Sequence, residues 1–347
     1  MGKKHKQFQP SIGTQPLVTS SLLDKMEDGH EFESLIKYRV VNLNVLNEIR
    51  KSMTEIEEIR KRTVICYLSN IANQGIKAST AIDYNDDLPF SEMISSVDPA
   101  VKDIDIIIVT PGGSAEQVAK FVDKLRPRFT NITFILPNIA MSAGTIFAMS
   151  GDDIIMDSRA YIGPIDPQVP SKDGRYVPAQ AILTLISEIQ KRGEDLLKNG
   201  QDPPWTDLQI LRQLDGKEIG DALSASKYSV ELVENYLFNY KFKTWDKHSD
   251  GRAVTDDEKR NQANEIAEKL CSHEHWKTHS RGITREVAWN DCKIKITPSE
   301  SITGLDRVIR RFWALTYWVF GNVNTYKMFI SQNYCIFRND LSLINKG

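Results

Sequence analysis

The sequence predicts an α/β fold, in which strands and helices alternate along the chain. Strand patterns and helix patterns follow one another from Thr63 onwards, and such alternation is typical of right-handed crossover units. The run DIDIIIVT is almost continuously apolar, which is typical of a strand covered on both faces in a parallel sheet. A paired-glycine turn, PGGS, and a new helical pattern follow that strand directly. These observations favour a parallel sheet flanked by helices.

The elements can be assigned in order along the chain. Residues 1–62 combine a polar tail with an amphipathic helix, whose apolar residues recur at helical spacing. The strands expected after it are TVICYLSNI, DIDIIIVT, ITFIL and DIIMD. Helices are expected at PFSEMISSVD, at AEQVAKFVDKLRPRF and from Ser142 onwards. Residues 178–248 are expected to be mostly helical, and residues 252–270 to add a charged helix.

The closing segment, 301–347, contains the aromatic run FWALTYWVF, which is too short to cross a bilayer. This run is expected to form buried core or a subunit contact. The predicted organisation is therefore a tail and helix at 1–62, an α/β domain at 63–300 and a C-terminal extension at 301–347.

Composition excludes several classes of function. The 347-residue chain has a net charge of −2 and a pI near 6.3, so no overall positive field would recruit nucleic acid or an anionic membrane. No segment has the apolar length of a membrane span, and the N-terminus lacks the apolar core of a signal peptide. The four scattered cysteines suit free thiols in a reducing compartment. We expect a soluble cytoplasmic protein.

The candidate nucleophile is Ser142, in the run AMSAGT between a predicted strand and a predicted helix. A serine at this place can simply cap the helix, by accepting a hydrogen bond from an N–H two or three residues on. However, Ala140, Ala143 and Gly144 surround it with small side chains. An exposed nucleophile on a strand-to-helix turn needs such space. The pattern therefore offers a nucleophile as an alternative to a helix cap.

The turn TPGGSA, residues 110–115, is a candidate for stabilising negative charge. Paired glycines at Gly112 and Gly113 allow positive φ and a close approach of the backbone to a ligand. In acyl transfer, backbone N–H groups stabilise the developing oxyanion. Gly113 and Ala143 can each supply one such donor. A plain tight turn is the alternative, because glycine is common in turns.

Lys227 is the candidate general base. The segment 222–240 is an amphipathic helix, and the spacing of Leu223, Lys227 and Val230 predicts that Lys227 lies on its apolar stripe. Burial would disfavour the charged ammonium and make the amine a usable base. The alternative is that the side chain reaches past the stripe to water.

Together these motifs resemble the serine dehydrogenase proteinase family, which is related to signal peptide peptidase A, Clp-type proteases and the crotonase-like superfamily. The resemblance rests on TPGGSAEQVAKFVDKLR, AMSAGTIFAMSGDDIIMD and GPIDPQ in this order, and it covers roughly residues 63–295. It implies a spiral of ββα units, a serine peptidase acting on peptides or unfolded proteins, and a homo-oligomer without a cofactor.

Residue by residue, the resemblance places Ser142 on the nucleophile, Gly113 on the oxyanion-hole glycine and Ala143 on the second amide. Clp-type relatives carry a histidine after the nucleophile helix, but SRAYIGPIDPQ has none. Signal peptide peptidases use a lysine instead, and Lys227 matches that position in a looser part of the alignment. The implied mechanism is a Ser–Lys dyad.

The run SHEHWKTHS offers a second candidate base. If the run is helical, His275 and His279 share a face, but HExxH and other metal-ligand spacings are missing, so we predict no metal site. His279 lies near the place of the third catalytic residue in Clp-type enzymes, which makes a Ser142–His279 pair the second arrangement. Asp166, between Pro164 and Pro167, is expected to shape its loop or to form a subunit contact, and orienting the site is the alternative.

Two other functions compete with the peptidase. A crotonase-like acyl-CoA enzyme would use the same oxyanion hole, although that chemistry commonly needs a carboxylate where these motifs offer a serine. A non-catalytic oligomeric scaffold is the other alternative. The flanks 1–62 and 301–347 exceed the resemblance and can bind a regulatory partner.

Overall fold

The computed structural model describes residues 17–18, 21–36, 39–40, 44–73, 75–170, 176–340 and 342. The polar tail predicted at the start of the chain lies mostly outside these residues. The strands, in chain order, are β1 (Leu17–Val18), β2 (Arg39–Val40), β3 (Thr63–Ser69), β4 (Asp103–Val109), β5 (Asn131–Leu136), β6 (Ile139–Ala140), β7 (Asp153–Met156), β8 (Tyr161–Ile162), β9 (Gln168–Pro170), β10 (Tyr176–Pro178), β11 (Thr297–Pro298), β12 (Thr325–Ile330) and β13 (Cys335–Asn339).

The helices follow the predicted order. In chain order they are α1 (Glu31–Ile36), α2 (Val45–Arg60), α3 (Asp87–Ser95), α4 (Ala115–Leu125), α5 (Ala143–Met149), α6 (Ala179–Lys198), α7 (Trp205–Gln213), α8 (Gly216–Tyr236), α9 (Asp256–Cys271), α10 (His273–Trp276), α11 (Arg285–Cys292) and α12 (Leu305–Asn322). A π-helical turn, Leu237–Lys241, extends α8.

A seven-stranded sheet, ordered β11-β7-β5-β4-β3-β12-β13, forms the centre of the fold. The strands from β11 to β3 are parallel, in registers such as Cys66 opposite Ile107, whereas β12 runs antiparallel to both β3 and β13. After its first residue β4 is buried throughout, as the apolar run predicted. The α/β fold class is therefore confirmed.

Each face of the sheet carries its own hydrophobic core. Because side chains alternate along a strand, β3 directs Ile65 and Tyr67 into one core and Cys66 and Leu68 into the other. The first core contains an aromatic cluster with α3, α4 and α5. The second core is covered by α2 and α12. The aromatic run of α12 is therefore buried core, which is one of its two predicted roles.

The segments that flank the α/β region are part of the same sheet and cores. β12 pairs with β3 along residues 66–69, and β13 extends the sheet by one more strand. No strand was expected after residue 301 from the sequence. The strand-forming segment TYKMFI there follows a long helix and contains a lysine. The C-terminal segment is thus structurally continuous with residues 63–300. Among the described residues, no helix has the length and apolar character needed to cross a membrane.

Candidate functional site

Ser142 occupies a sharp turn between β6 and α5. Its φ of 51° and ψ of −119° lie in a region that residues with a side chain rarely adopt. Its side chain makes no capping hydrogen bond to α5, so the helix-cap alternative does not describe this serine. Strained, half-exposed serines of this kind occur on the strand-to-helix turn of hydrolases. The local geometry is suited to presenting a nucleophile.

The small residues around Ser142 allow its turn to pack closely against neighbouring backbone. They do not leave the open space that was expected from the sequence. Ala140 and Ala143 are buried, and a Cβ on Gly144 would lie 2.4 Å from Cγ2 of Thr110. Backbone hydrogen bonds join Thr110 to Ile139 and Met141 on the two sides of this contact. The small side chains therefore let the turn pack closely against the end of β4.

Gly112 and Gly113 lie in the turn that faces Ser142. Gly112 has a φ of +107°, and a Cβ there would lie 2.7 Å from Cβ of Ser142 and 2.8 Å from the carbonyl oxygen of Met141. Gly113 has a φ of +141° and pairs with Ile82, since the Ile82 N–H donates to Gly112 and the Ser114 N–H donates to Ile82. Only glycine fits either position without displacing its neighbours.

Two backbone N–H groups at this corner are unpaired. Within the described part of the chain, neither the Gly113 N–H nor the Ala143 N–H has a hydrogen-bond acceptor. The Gly113 N–H is directed away from Ile82 by the bridge that flanks it, and Ala143 opens the first turn of α5. Helix N-termini and unpaired amides attract negative charge. Chemically, the pair can hold an oxyanion.

A buried carboxylate joins two histidines in a neighbouring loop. Oδ1 of Asp166 lies 2.8 Å from Nδ1 of His279, and Oδ2 lies 3.1 Å from Nδ1 of His273. The Asp166 side chain is fully buried, whereas about a quarter of each histidine side chain is exposed. When His279 donates its Nδ1–H to the carboxylate, Nε2 is left as a proton acceptor.

The sequence did not reveal this pairing, because the partners lie more than 100 residues apart. The run GPIDPQ marked Asp166 and the run SHEHWKTHS marked the histidines, but no local spacing connects the two runs. His275 lies elsewhere: its Nε2 is 3.1 Å from Asp291, and α10 ends at Trp276, so His275 and His279 do not share the helical face considered in the sequence analysis. No cluster suited to a metal ion occurs in the described ranges.

The Asp166 loop is tied to the Ser142 turn by backbone pairing. β6 pairs with β8 in parallel, so Ser142 and Asp166 both follow paired strands that run in the same direction. The Thr145 hydroxyl accepts a hydrogen bond from the Gly163 N–H at 2.9 Å. Ile162 in turn pairs with Ile283, which follows His279 by four residues. The Ser142 turn, the Asp166 loop and the segment after His279 are therefore joined by backbone pairing and hydrogen bonds.

Lys227 does not lie on the buried side of its helix. α8 packs against α5, α6 and α9, and its buried positions are Ala222, Ser226, Ser229, Val233 and Tyr236. Lys227 is exposed, and so is Leu223, which the sequence analysis placed on the same buried stripe. The expectation was wrong for these two residues, because the small side chains of Ala222 and Ser226 face the core beside them. Val230, on the same predicted stripe, does pack against the core. The role of Lys227 as a base stays a prediction.

The comparison with protein families matches residues 32–198 to the ClpP-like SDH-type serine proteinase family. The matched segment includes Ser142, Gly113, Ala143 and Asp166, whereas Lys227 and His279 lie beyond it. Two uncharacterised proteins of Methanocaldococcus jannaschii are also similar. One is 31% identical over 212 residues, 59% of this chain and 62% of that protein. The other is 32% identical over 154 residues, 44% of this chain and 49% of that protein.

The chain thus spans less than two thirds of either relative. Among solved structures, two mutants of the 1510-N membrane-bound stomatin-specific protease have TM-scores of 0.37, at 15% and 14% identity. They cover 62% and 68% of this chain and 74% and 75% of their own, and one is in complex with a substrate peptide. A probable enoyl-CoA hydratase/isomerase from Mycobacterium abscessus has a TM-score of 0.23 at 17% identity, over 29% of this chain and 45% of its own. Residues 32–198, just under half of this chain, are thus similar to the ClpP-like SDH-type serine proteinase family.

Proposed function

We propose that this protein is a serine peptidase that hydrolyses peptide bonds of unfolded proteins or peptides, with Ser142 as its nucleophile. The observation that carries the proposal is the corner where strained Ser142 lies against Gly112, between two unpaired backbone N–H groups. Such a corner offers what acyl transfer needs, which is an exposed hydroxyl beside preorganised donors.

The reaction proceeds through an acyl-enzyme. A base takes the proton from Oγ of Ser142 while Oγ attacks the peptide carbonyl carbon, and the carbonyl oxygen becomes an oxyanion held by the N–H groups of Gly113 and Ala143. The tetrahedral adduct then collapses, and the protonated base delivers its proton to the departing amine. Water attacks the ester with the help of the same base and releases the acid and Ser142.

His279 is the base that the geometry favours. The buried Asp166 carboxylate fixes its Nδ1 and leaves Nε2 as acceptor, which is the relation between carboxylate and histidine in a catalytic triad. Lys227, the base implied by the resemblance, is exposed, so it lacks the burial that favours a neutral lysine base. We therefore propose Ser142, His279 and Asp166 as the reacting set, and a Ser142–Lys227 dyad is the alternative.

A homo-oligomer remains part of the proposal. Along α6 only Ala179 and Ile189 are buried, and large apolar side chains on α6 and α7, including Trp205 and Leu208, are exposed. Contact with another copy of the chain would bury this surface. In such an assembly the sites would face an enclosed space, which would restrict cleavage to unfolded chains.

The test is covalent labelling with a fluorophosphonate, followed by mass-spectrometric mapping of the modified residue. We expect one adduct, on Ser142, and hydrolysis of an unfolded casein reporter that disappears in Ser142→Ala. Ser158→Ala is the matched control, because Ser158 is an exposed serine on the loop after β7, and it should label and hydrolyse as the wild type does. Wild-type protein that neither takes the probe nor cleaves the reporter would contradict the peptidase. Stabilisation by CoA esters in place of labelling would indicate a crotonase-like enzyme.

A further inference from the structure

The segment that supports the oxyanion donor Gly113 is itself held by the C-terminal strands. Ile82 pairs with Gly113 and lies in the connection between β3 and α3. A Cβ on Gly113 would lie 2.3 Å from the carbonyl oxygen of Ile82, so the two backbones are in direct contact. Any shift of the Ile82 segment would therefore shift Gly113.

The C-terminal hairpin, defined here as β12 and β13 together with Asp340 and Ser342, contacts the first part of this connection. The Asp340 carboxylate accepts hydrogen bonds from the N–H groups of Lys77 and Ala78, at 2.7 and 3.2 Å. The hydrogen bond from the Ser342 hydroxyl, followed by those from Lys77 and Ala78, holds the pKa of Asp340 at about 2, so the carboxylate is charged at neutral pH. One end of the connection is thus fixed to the hairpin.

A buried ion cluster holds the second part of the connection between β3 and α3, directly after Ile82. Nζ of Lys327 on β12 lies 2.8 and 2.7 Å from the two carboxylate oxygens of Asp86 and 3.3 Å from Oδ2 of Asp83. Nη1 of Arg338 on β13 lies 3.2 Å from Asp86, and the hydroxyl of Tyr67 donates to the same carboxylate at 2.8 Å. Two cations thus face two carboxylates.

The cluster is costly to bury and is not needed to build the sheet. The side chains of Lys327 and Asp86 are both fully buried, and Lys327 shares its face of β12 with Phe329, which packs on Tyr67. An apolar side chain at this position would continue that core without desolvating a charge. A buried lysine instead fixes the position of one partner, because its ammonium must stay within hydrogen-bond reach of Asp86. Here the partner is Asp86, so Lys327 fixes the position of the segment that follows Ile82.

We propose that the C-terminal hairpin positions the oxyanion hole, with Lys327 as a positioning residue that acts through Asp86, Asp83 and Ile82 on Gly113. This inference rests on the proposed peptidase activity. It assigns a role in the site to a segment that lies outside the matched residues 32–198. It also means that the site is complete only when the end of the chain has joined the sheet.

The test compares Lys327→Met with Arg60→Met. The control breaks a second buried ion cluster, in which Arg60 and Arg62 contact the fully buried Asp105 near the start of β4, whereas Gly113 follows the end of that strand. Both variants should unfold at lower urea concentration than the wild type. Only Lys327→Met should lower kcat for the casein reporter, by about 10- to 100-fold with a smaller change in KM, because a displaced oxyanion donor weakens the transition state.

Amide hydrogen exchange supplies a readout that does not depend on activity. In Lys327→Met, peptides containing the paired N–H groups of Ile82 and Ser114 should exchange faster than in the wild type, and in Arg60→Met they should not. Wild-type kcat and wild-type exchange in folded Lys327→Met would overturn the proposal. If the wild type shows no hydrolysis, the peptidase proposal fails, and exchange alone still decides whether the hairpin holds Gly113.

Arg338→Met covers the case in which Lys327→Met does not fold. The side chain of Arg338 is about a quarter exposed, and its loss removes one hydrogen bond to Asp86 while Lys327 remains in place. We expect the same changes in kcat and in exchange, in a smaller amount. An Arg338→Met protein that matches the wild type in both measurements would also count against positioning by the hairpin.

Discussion

Gly112 and Ser142 lie so close together that a Cβ on Gly112 would come within 2.7 Å of the Cβ of Ser142. Each residue holds an uncommon backbone conformation, with φ of +107° at Gly112 and 51° at Ser142. The turn after β4 and the turn after β6 thus pack directly against each other. A strained backbone of this kind costs about 1–3 kcal/mol and persists only where its surroundings enforce it. The contact therefore helps to hold the half-exposed Ser142 in its turn.

Gly112→Ala should disrupt both turns. The added Cβ would clash with Ser142 and with the Met141 carbonyl, and alanine is also disfavoured at positive φ. We expect a loss of about 2–4 kcal/mol in the free energy of unfolding, from overpacking and backbone strain together. Labelling of Ser142 should slow by at least about 100-fold, as a displaced nucleophile predicts. Urea unfolding and the time course of fluorophosphonate labelling measure the two effects.

Gly220→Ala is the matched control for this substitution. Gly220 lies inside α8, and a Cβ there would meet nothing within 4 Å. Alanine in a helix interior is favoured over glycine, so we expect a gain of about 0.5–1 kcal/mol and unchanged labelling. A Gly112→Ala protein that labels at the wild-type rate would show that the contact does not maintain the nucleophile turn.

Features that depend on neighbouring residues could be predicted from the sequence. The apolar run of β4 predicted a central strand of a parallel sheet, and the helical spacing of apolar residues predicted α2. The serine between small residues and the paired glycines both marked sharp turns, where Ser142 and Gly112 indeed have positive φ. In each case one short stretch of chain carries enough steric and apolar information to fix the local conformation.

Features that depend on distant partners could not be predicted. The pairing of Asp166 with His279 and that of Lys327 with Asp86 follow from the register of strands far apart in the chain. The positions of Leu223 and Lys227 on α8 were misread, because Ala222 and Ser226 are buried there whereas Leu223 and Lys227 are exposed. Periodicity identifies a buried face only when apolar residues occupy it, and here the hydroxyl of Ser226 contacts Gln180 of α6 and Cys271 of α9.

Because of the buried thiols, the free energy of unfolding should depend on pH in the alkaline range. Burial is the main cause that raises the pKa of Cys271 to about 11 and that of Cys292 to about 12, from a usual value of 9.0. The folded state therefore keeps these thiol protons after the unfolded chain has lost them. This contribution is fully present below about pH 9, decreases as the pH rises above 9 and is lost once the pH has passed about 11 to 12, so the urea midpoint should fall between about pH 9 and 12.

Thiol labelling checks the same burial at a single pH. With Ellman's reagent at pH 8, Cys271 and Cys292 should react only after denaturation, because the thiolate is the reactive form and both side chains are buried. Cys335 is only half-buried and should react first in the folded protein. Cys335→Ser is the control, since it should remove that first phase alone. Fast labelling of Cys271 in folded protein would contradict the burial on which the pH dependence rests.

His279→Ala and Lys227→Ala separate the two candidate bases. If Asp166 orients His279 as the base, His279→Ala should lower kcat by about 1,000-fold or more, whereas Lys227→Ala, which changes an exposed side chain, should stay within about twofold of the wild type. His273→Ala is the matched control, because it removes the other histidine on the same carboxylate. A control that lost as much activity as His279→Ala would point to a structural role of the cluster. Full activity in His279→Ala combined with loss in Lys227→Ala would instead establish the Ser–Lys dyad. Steady-state hydrolysis of the casein reporter, with folding checked by circular dichroism, distinguishes these outcomes.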